Sequence, residues 1–172
     1  MRVKVLALLF ALVGGLAIGT QPLLNGALGR TRGVFETVLV SVTVSYAGVV
    51  LLLAVKAGRG LPLGLPFSWR STVALAGAFV LVTLTLAMVG RDIAPWYFSA
   101  GLLGLVVLVA GTVATPVLGV GVTAAALTAG QLGVAIMWDQ FGVLGLPEVP
   151  VSPQRILGML LVVAGVVLIR GI

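Results

Sequence analysis

The chain has 172 residues; 60% are hydrophobic, only 8% are charged, and the net charge is +6. Soluble domains carry about 45–50% apolar and about 25% charged residues, so this composition cannot clothe a water-soluble globule. With no cysteine, no histidine and four carboxylates well apart in sequence, disulfides, zinc sites and Cys or His nucleophile–base pairs are excluded. The chain therefore reads as one integral membrane domain over 1–172, all-α and polytopic. It is not read as an enzyme, and no metal or cofactor is expected.

The excess of positive charge does not indicate nucleic acid. The ten Lys and Arg stand singly or in pairs between apolar runs, where they orient membrane helices, and no basic block interleaved with aromatics exists. A span needs about 20 apolar residues. Charge-free runs predict helices over 5–29, 37–55 and 71–90. The run 93–138 holds two spans, broken at Pro116-Val117-Leu118-Gly119, where proline removes a donor and glycine permits a turn. The last helix begins at Ser152-Pro153, an N-cap with proline at the first helical position, and ends near Arg170. The first run is too long for a cleaved signal peptide and lacks a small-residue cleavage site, so it is read as a helix that stays.

Trp69, Trp96, Tyr97 and Trp138 fall at predicted helix ends and suit the headgroup level. With six spans, one side carries Arg2, Lys4, Lys56, Arg59, Arg70 and Arg170, and the other Arg30, Arg32, Arg91 and Arg155. Six against four favours both termini in the cytoplasm. The stretches 56–70 and 139–154 read as loops.

Polar side chains inside a bilayer are costly unless paired or hydrated. Gln21 and Asn25, four apart, share a helix face, and Pro22 between them frees backbone groups, which marks a polar ligand site with a hinge. Gln131 and Trp138, seven apart, lie on nearly one face and offer an amide beside an aromatic ring, suited to a polar or cationic solute. The alternative for each is a helix-packing amide or an interfacial tryptophan. Gln21 and Gln131 are expected at similar depth, converging on one cavity. Pro116 is the second candidate hinge. Glu36 and Asp139 are the carboxylates nearest to spans, with possible coupling or gating roles. Asp92 beside Arg91 reads as a loop ion pair, and Glu148 as a solvated loop charge. Gly15 and Gly19 form one small-residue pair, and Gly121, Ala125, Ala129 and Gly133 a stripe read as a packing seam. Ser41, Thr43, Ser45 and Tyr46, and Thr83 and Thr85, put hydroxyls on the second and third helices; hydroxyls can satisfy their own helix backbone, so no function is assigned to them.

Several phrases in order resemble the YdcZ-like branch of the drug/metabolite transporter superfamily. They are Gln21-Pro22-Leu23-Leu24-Asn25-Gly26 with Gly29-Arg30, Pro95-Trp96-Tyr97 with Gly101 and Gly104, and Pro116-Val117-Leu118-Gly119. Further along come Gly130-Gln131-Leu132, Asp139-Gln140-Phe141-Gly142-Val143-Leu144-Gly145, and Arg155-Ile156-Leu157-Gly158 with Gly165-Val166. The resemblance covers 1–58 and 95–172 and leaves 60–92 as an extra helical segment, so about six helices are expected, five family-like and one added. The nine Val, Leu and Phe residues of 71–90 contribute roughly −3 to −5 kcal/mol to insertion, so this run is read as a span.

The resemblance implies a secondary transporter, or half of one, for a small polar or cationic solute across the bacterial-type inner membrane. It also implies a homodimer, or a heterodimer with a second small membrane subunit. The small multidrug-resistance relatives of that superfamily use a glutamate deep in the first helix, and this chain has no acid there. The rival reading is a non-transporting scaffold or accessory subunit.

Overall fold

The computed structural model describes residues 2–64 and 71–170. Trp69 and Arg70 lie outside the described residues. Among the described residues there are six α-helices: α1 (Arg2–Arg32), α2 (Val34–Gly58), α3 (Thr72–Val89), α4 (Ser99–Leu118), α5 (Val120–Phe141) and α6 (Pro153–Arg170). Two short 3-10 turns, Pro95–Phe98 and Val143–Gly145, lead into α4 and follow α5. Among the described residues there is no strand. Five stretches of the described residues are long and apolar enough to cross a membrane: α1, α2, α3, α4 with its leading turn, and α5.

The expected breaks hold because their chemistry is local. The α4–α5 connection is one residue, Gly119, at φ +81° and ψ 161°, a region nearly confined to glycine that costs a residue with a Cβ about 1–3 kcal/mol. Its amide still bonds to the Thr115 carbonyl at 2.9 Å, and its own carbonyl accepts from the Thr123 hydroxyl at 2.8 Å. Ser71 caps α3 by accepting from the Val73 amide, and Ser152 accepts from the Arg155 amide ahead of α6. Pro22 sits inside an unbroken α1; the carbonyl one turn before it lacks an amide partner, which loosens the helix there without ending it.

α1 is the central helix. It packs along both α4 and α5, and less extensively on α2. α3 packs on α2, and α6 on α5, so these two form the flanks. Lipid tails are as apolar as leucine, so close van der Waals approach holds such a bundle rather than water exclusion. Small residues permit it: Ala7, Ala11, Ala114 and Ala126 form the buried cluster at the Arg2 end, with Leu8, Val117 and Leu118 packed around them.

The crossing of α1 and α5 is closer still. A Cβ built on Gly19 would lie 2.5 Å from the Gln131 carbonyl oxygen, and one on Gly15 2.2 Å from that of Leu127. The Gly15–Gly19 pair is thus a packing seam. The α5 side of it corrects the expected stripe. The buried residues of α5 are Thr123, Ala126, Gly130 and Val134, whereas Gly121 is exposed and a Cβ on Gly133 would meet nothing within 4 Å. The face is one residue round from Gly121, Ala125, Ala129 and Gly133, because α1's glycines choose it.

α3 runs antiparallel to α2. The Arg32 guanidinium, at the end of α1, donates to the Arg91 carbonyl just beyond α3 at 2.8 Å, so α3 ends at the level where α2 begins. Helix directions therefore alternate. Arg2, Lys4, Lys56 and Arg59 share one end of the bundle. Arg30, Arg32, Arg91 and Arg155 share the other, as do all four acids of the sequence: Glu36 in the first turn of α2, Asp92 after α3, Asp139 in the last turn of α5, and Glu148 beyond it.

The expected Arg91–Asp92 ion pair does not form. Among the described residues the one ion pair is Asp139–Arg155. Asp92 takes a left-handed φ of 62°, and Arg91 contributes its carbonyl to Arg32 instead.

Candidate functional site

The polar side chains singled out in the sequence fall into two clefts rather than one cavity. The first, of about 300 Å³, lies between α1 and α5 under the α5–α6 loop and is lined by Pro22, Gln131, Trp138, Asp139, Leu146 and Pro147. The second, of about 700 Å³, lies between α1 and α2 and includes Gln21, Pro22, Asn25, Arg30, Thr37 and Val38. Gln131 and Trp138 share a cleft, as their seven-residue spacing predicts, and so do Gln21 and Asn25. Gln21 and Gln131 do not converge. α1 stands between them: Gly15 and Gly19 turn toward α5, while Gln21 turns toward α4, where a Cβ on Gly104 would lie 3.1 Å from its Nε2. Pro22, exposed on α1, lines both clefts.

In the α1–α5 cleft, the Trp138 indole N–H donates to the Thr20 hydroxyl at 3.1 Å, and Thr20 in turn donates to the Leu16 carbonyl at 2.8 Å. This fixes the ring edge on α1. Asp139 is paired with Arg155, so its charge is already compensated. Its backbone carbonyl accepts from the Val149 amide at 2.8 Å, and Arg155 also donates to the Val149 carbonyl at 2.9 Å. Gln140 accepts from the Val151 amide at 2.6 Å. The loop over this cleft is therefore tied down by Asp139, Gln140 and Arg155.

Arg30 ties it from the other side, donating to the carbonyls of Leu144 and Gly145 at 2.7 and 2.5 Å. The loop bends through Gly142, Leu144 and Gly145, all at positive φ; the Arg30 fork holds that bend from outside.

In the α1–α2 cleft, the Ser41 hydroxyl donates to the Asn25 side-chain oxygen at 2.8 Å. That fixes the amide's orientation and leaves its N–H groups free to turn outward. Ser45 donates to the Gly101 carbonyl of α4 at 2.7 Å and to its own helix at Ser41. These two serines bond across to other helices, whereas Thr43, Thr83 and Thr85 bond to their own backbones. Sequence reasoning missed Ser41, Thr20 and Arg30 as partners; each pairs with a residue on another element, which no local pattern shows.

Glu36 lines neither cleft. It lies exposed in the first turn of α2 and folds over Gly33, where negative charge complements the helix dipole. Pro116 lies inside α4, one turn before the Gly119 connection.

Residues 68–168 match the family described as "Putative inner membrane exporter, YdcZ". The chain belongs to this family. It is a multi-pass inner-membrane protein, and the matched stretch takes in α3 to α5 and most of α6. No curated protein and no solved structure matches the chain. The family description names an exporter, a class of membrane proteins that move solutes, and leaves the solute open.

Proposed function

We propose that this YdcZ-family chain exports a small polar organic solute, bound in the two clefts that flank Pro22. The observation that carries this reading is the placement of the amides. In a bundle almost bare of charge, Gln21, Asn25 and Gln131 line clefts of about 700 and 300 Å³, sizes that fit small molecules. A purely structural amide needs no cleft beside it.

Movement of α1 against its neighbours supplies the alternating access. Pro22 interrupts its hydrogen-bond ladder between the two clefts, and the contact with α5 runs over glycines that let one backbone slide on the other. The working unit is a pair, made with a second copy or a second small subunit. No acid occurs in mid-span, so coupling through a buried carboxylate is not part of the scheme.

The test is flux in liposomes reconstituted with purified protein and screened with polar metabolites, with and without a pH gradient. The expected result is protein-dependent flux that falls in Asn25→Leu and Gln131→Leu. One amide hydrogen bond is worth roughly 0.5–1.5 kcal/mol, or about twofold to tenfold in affinity. An accessory subunit would give no flux and no ligand response, and would co-purify with a larger partner.

A further inference from the structure

The two clefts differ in charge, and the difference selects a ligand. Arg30 lines the α1–α2 cleft. Its guanidinium donates only to the neutral carbonyls of Leu144 and Gly145, and among the described residues it has no carboxylate partner. No acid lines that cleft. Glu36, the acid on its second helix, is folded over Gly33. In the α1–α5 cleft the one acid, Asp139, is held by Arg155. A cationic solute thus finds no free counter-charge in either cleft and meets an uncompensated cation in the larger one.

The polar groups of the larger cleft are strung along one helix. At a rise of 1.5 Å and a rotation of about 100° per residue, Asn25 lies about 6 Å along α1 from Gln21 on nearly the same face, and Arg30 about 13.5 Å along and half a turn round, on the opposite rim of the cleft. The opposite wall carries the side chains of Val34 and Val38. We propose that the α1–α2 cleft takes an elongated organic anion, its acid group toward Arg30, its hydrogen-bonding body along Asn25 and Gln21, and its apolar side against Val34 and Val38. This rests on the exporter reading and narrows its solute class. Arg30 then both clamps the loop over one cleft and sets the charge preference of the other.

A matched pair of fluorescent probes tests this: dansyl-6-aminohexanoic acid and dansylcadaverine, alike in shape and opposite in charge. Binding is read as tryptophan-sensitised dansyl emission on protein in nanodiscs of zwitterionic lipid, with empty discs subtracted. The acid is expected to bind about tenfold more tightly than the amine at low salt, since reversing one charge beside a cation without a carboxylate partner changes the sign of the interaction, and salt should narrow the difference. Arg30→Gln should remove that preference. Arg30→Lys, which keeps the charge and loses the two-pronged clamp on the loop, should retain most of it. Val38→Trp, which fills the cleft from its exposed wall, should abolish binding of both probes.

Equal or tighter binding of the amine overturns the proposal. So does a preference that survives Arg30→Gln, or binding that survives Val38→Trp. Failure of the exporter reading looks different: the acid binds with these dependences but is not carried into liposomes by the same protein.

Discussion

Gly15 and Gly130 meet with no side chain between them. A Cβ on Gly15 would stand 2.9 Å from the Gly130 Cα, and one on Gly130 3.1 Å from the Gly15 Cα. Neither contact is one that a flexible side chain relieves; the helices themselves must part.

Gly15→Ala is therefore expected to destabilise the bundle. Overpacking costs roughly 1–3 kcal/mol, and here the obstruction is backbone on both sides. Gly133→Ala is the control on the same α5: its Cβ meets nothing within 4 Å, and alanine is favoured over glycine inside a helix by up to about 1 kcal/mol. Thermal unfolding in detergent should show the first variant melting lower than wild type and the second equal or higher. The same melting temperature for both would remove the crossing as the bundle's closest contact.

Gly119→Ala tests the one-residue connection. At φ +81° and ψ 161° a Cβ adds strain of about 1–3 kcal/mol, although open space surrounds the site and nothing lies within 4 Å of that Cβ. The expected outcome is a lower melting temperature from backbone strain alone. Inserting one further glycine beside Gly119 in the alanine variant should recover part of the loss.

The Asp139–Arg155 pair is partly open to solvent, with side-chain exposures of 42% and 29%. Exposed pairs couple by about 0.2–1 kcal/mol, and salt screens them. A double-mutant cycle with Asp139→Asn and Arg155→Gln should give a coupling at the upper end of that range that shrinks in high salt. The singles should also quicken proteolysis of the α5–α6 loop. A zero coupling at low salt would leave the loop held by its backbone bonds at Val149 and by Gln140 and Arg30.

Charge at the two ends of the bundle predicts its orientation. The Arg30 end carries four arginines and four acids, so it is formally neutral. The Arg2 end carries Arg2, Lys4, Lys56 and Arg59 and no acid. Juxtamembrane Lys and Arg stay in the cytoplasm. Reporters fused after Arg59 and after Arg91 are expected on opposite sides, the first cytoplasmic. Both on one side would mean that α3 does not cross.

Much of the fold was legible because its signals are local. Charge-free runs placed the first five helices to within a few residues, the Ser152-Pro153 cap placed the sixth, and Pro116 to Gly119 marked the tightest turn. The seam was read one residue off because α5 carries small residues on two faces. Which face is used depends on Gly15 and Gly19 of another helix. The expected meeting of Gln21 with Gln131 failed for a related reason. A helix packed on three neighbours sends its polar groups different ways, and depth alone does not say which. Ser41 and Thr20 look like any helix hydroxyl until Asn25 and Trp138 are placed beside them.

The Gly119 connection has a consequence for how the chain reaches the membrane. Spans can enter lipid one at a time only if some polar chain waits in water between them. Between α4 and α5 there is one glycine, and no charge occurs from Ile93 to Trp138. The two helices must leave the insertion machinery together as a hairpin. α1 then receives them as a finished wall, closing against Ala110 of one at Gly14 and Gly130 of the other at Gly15.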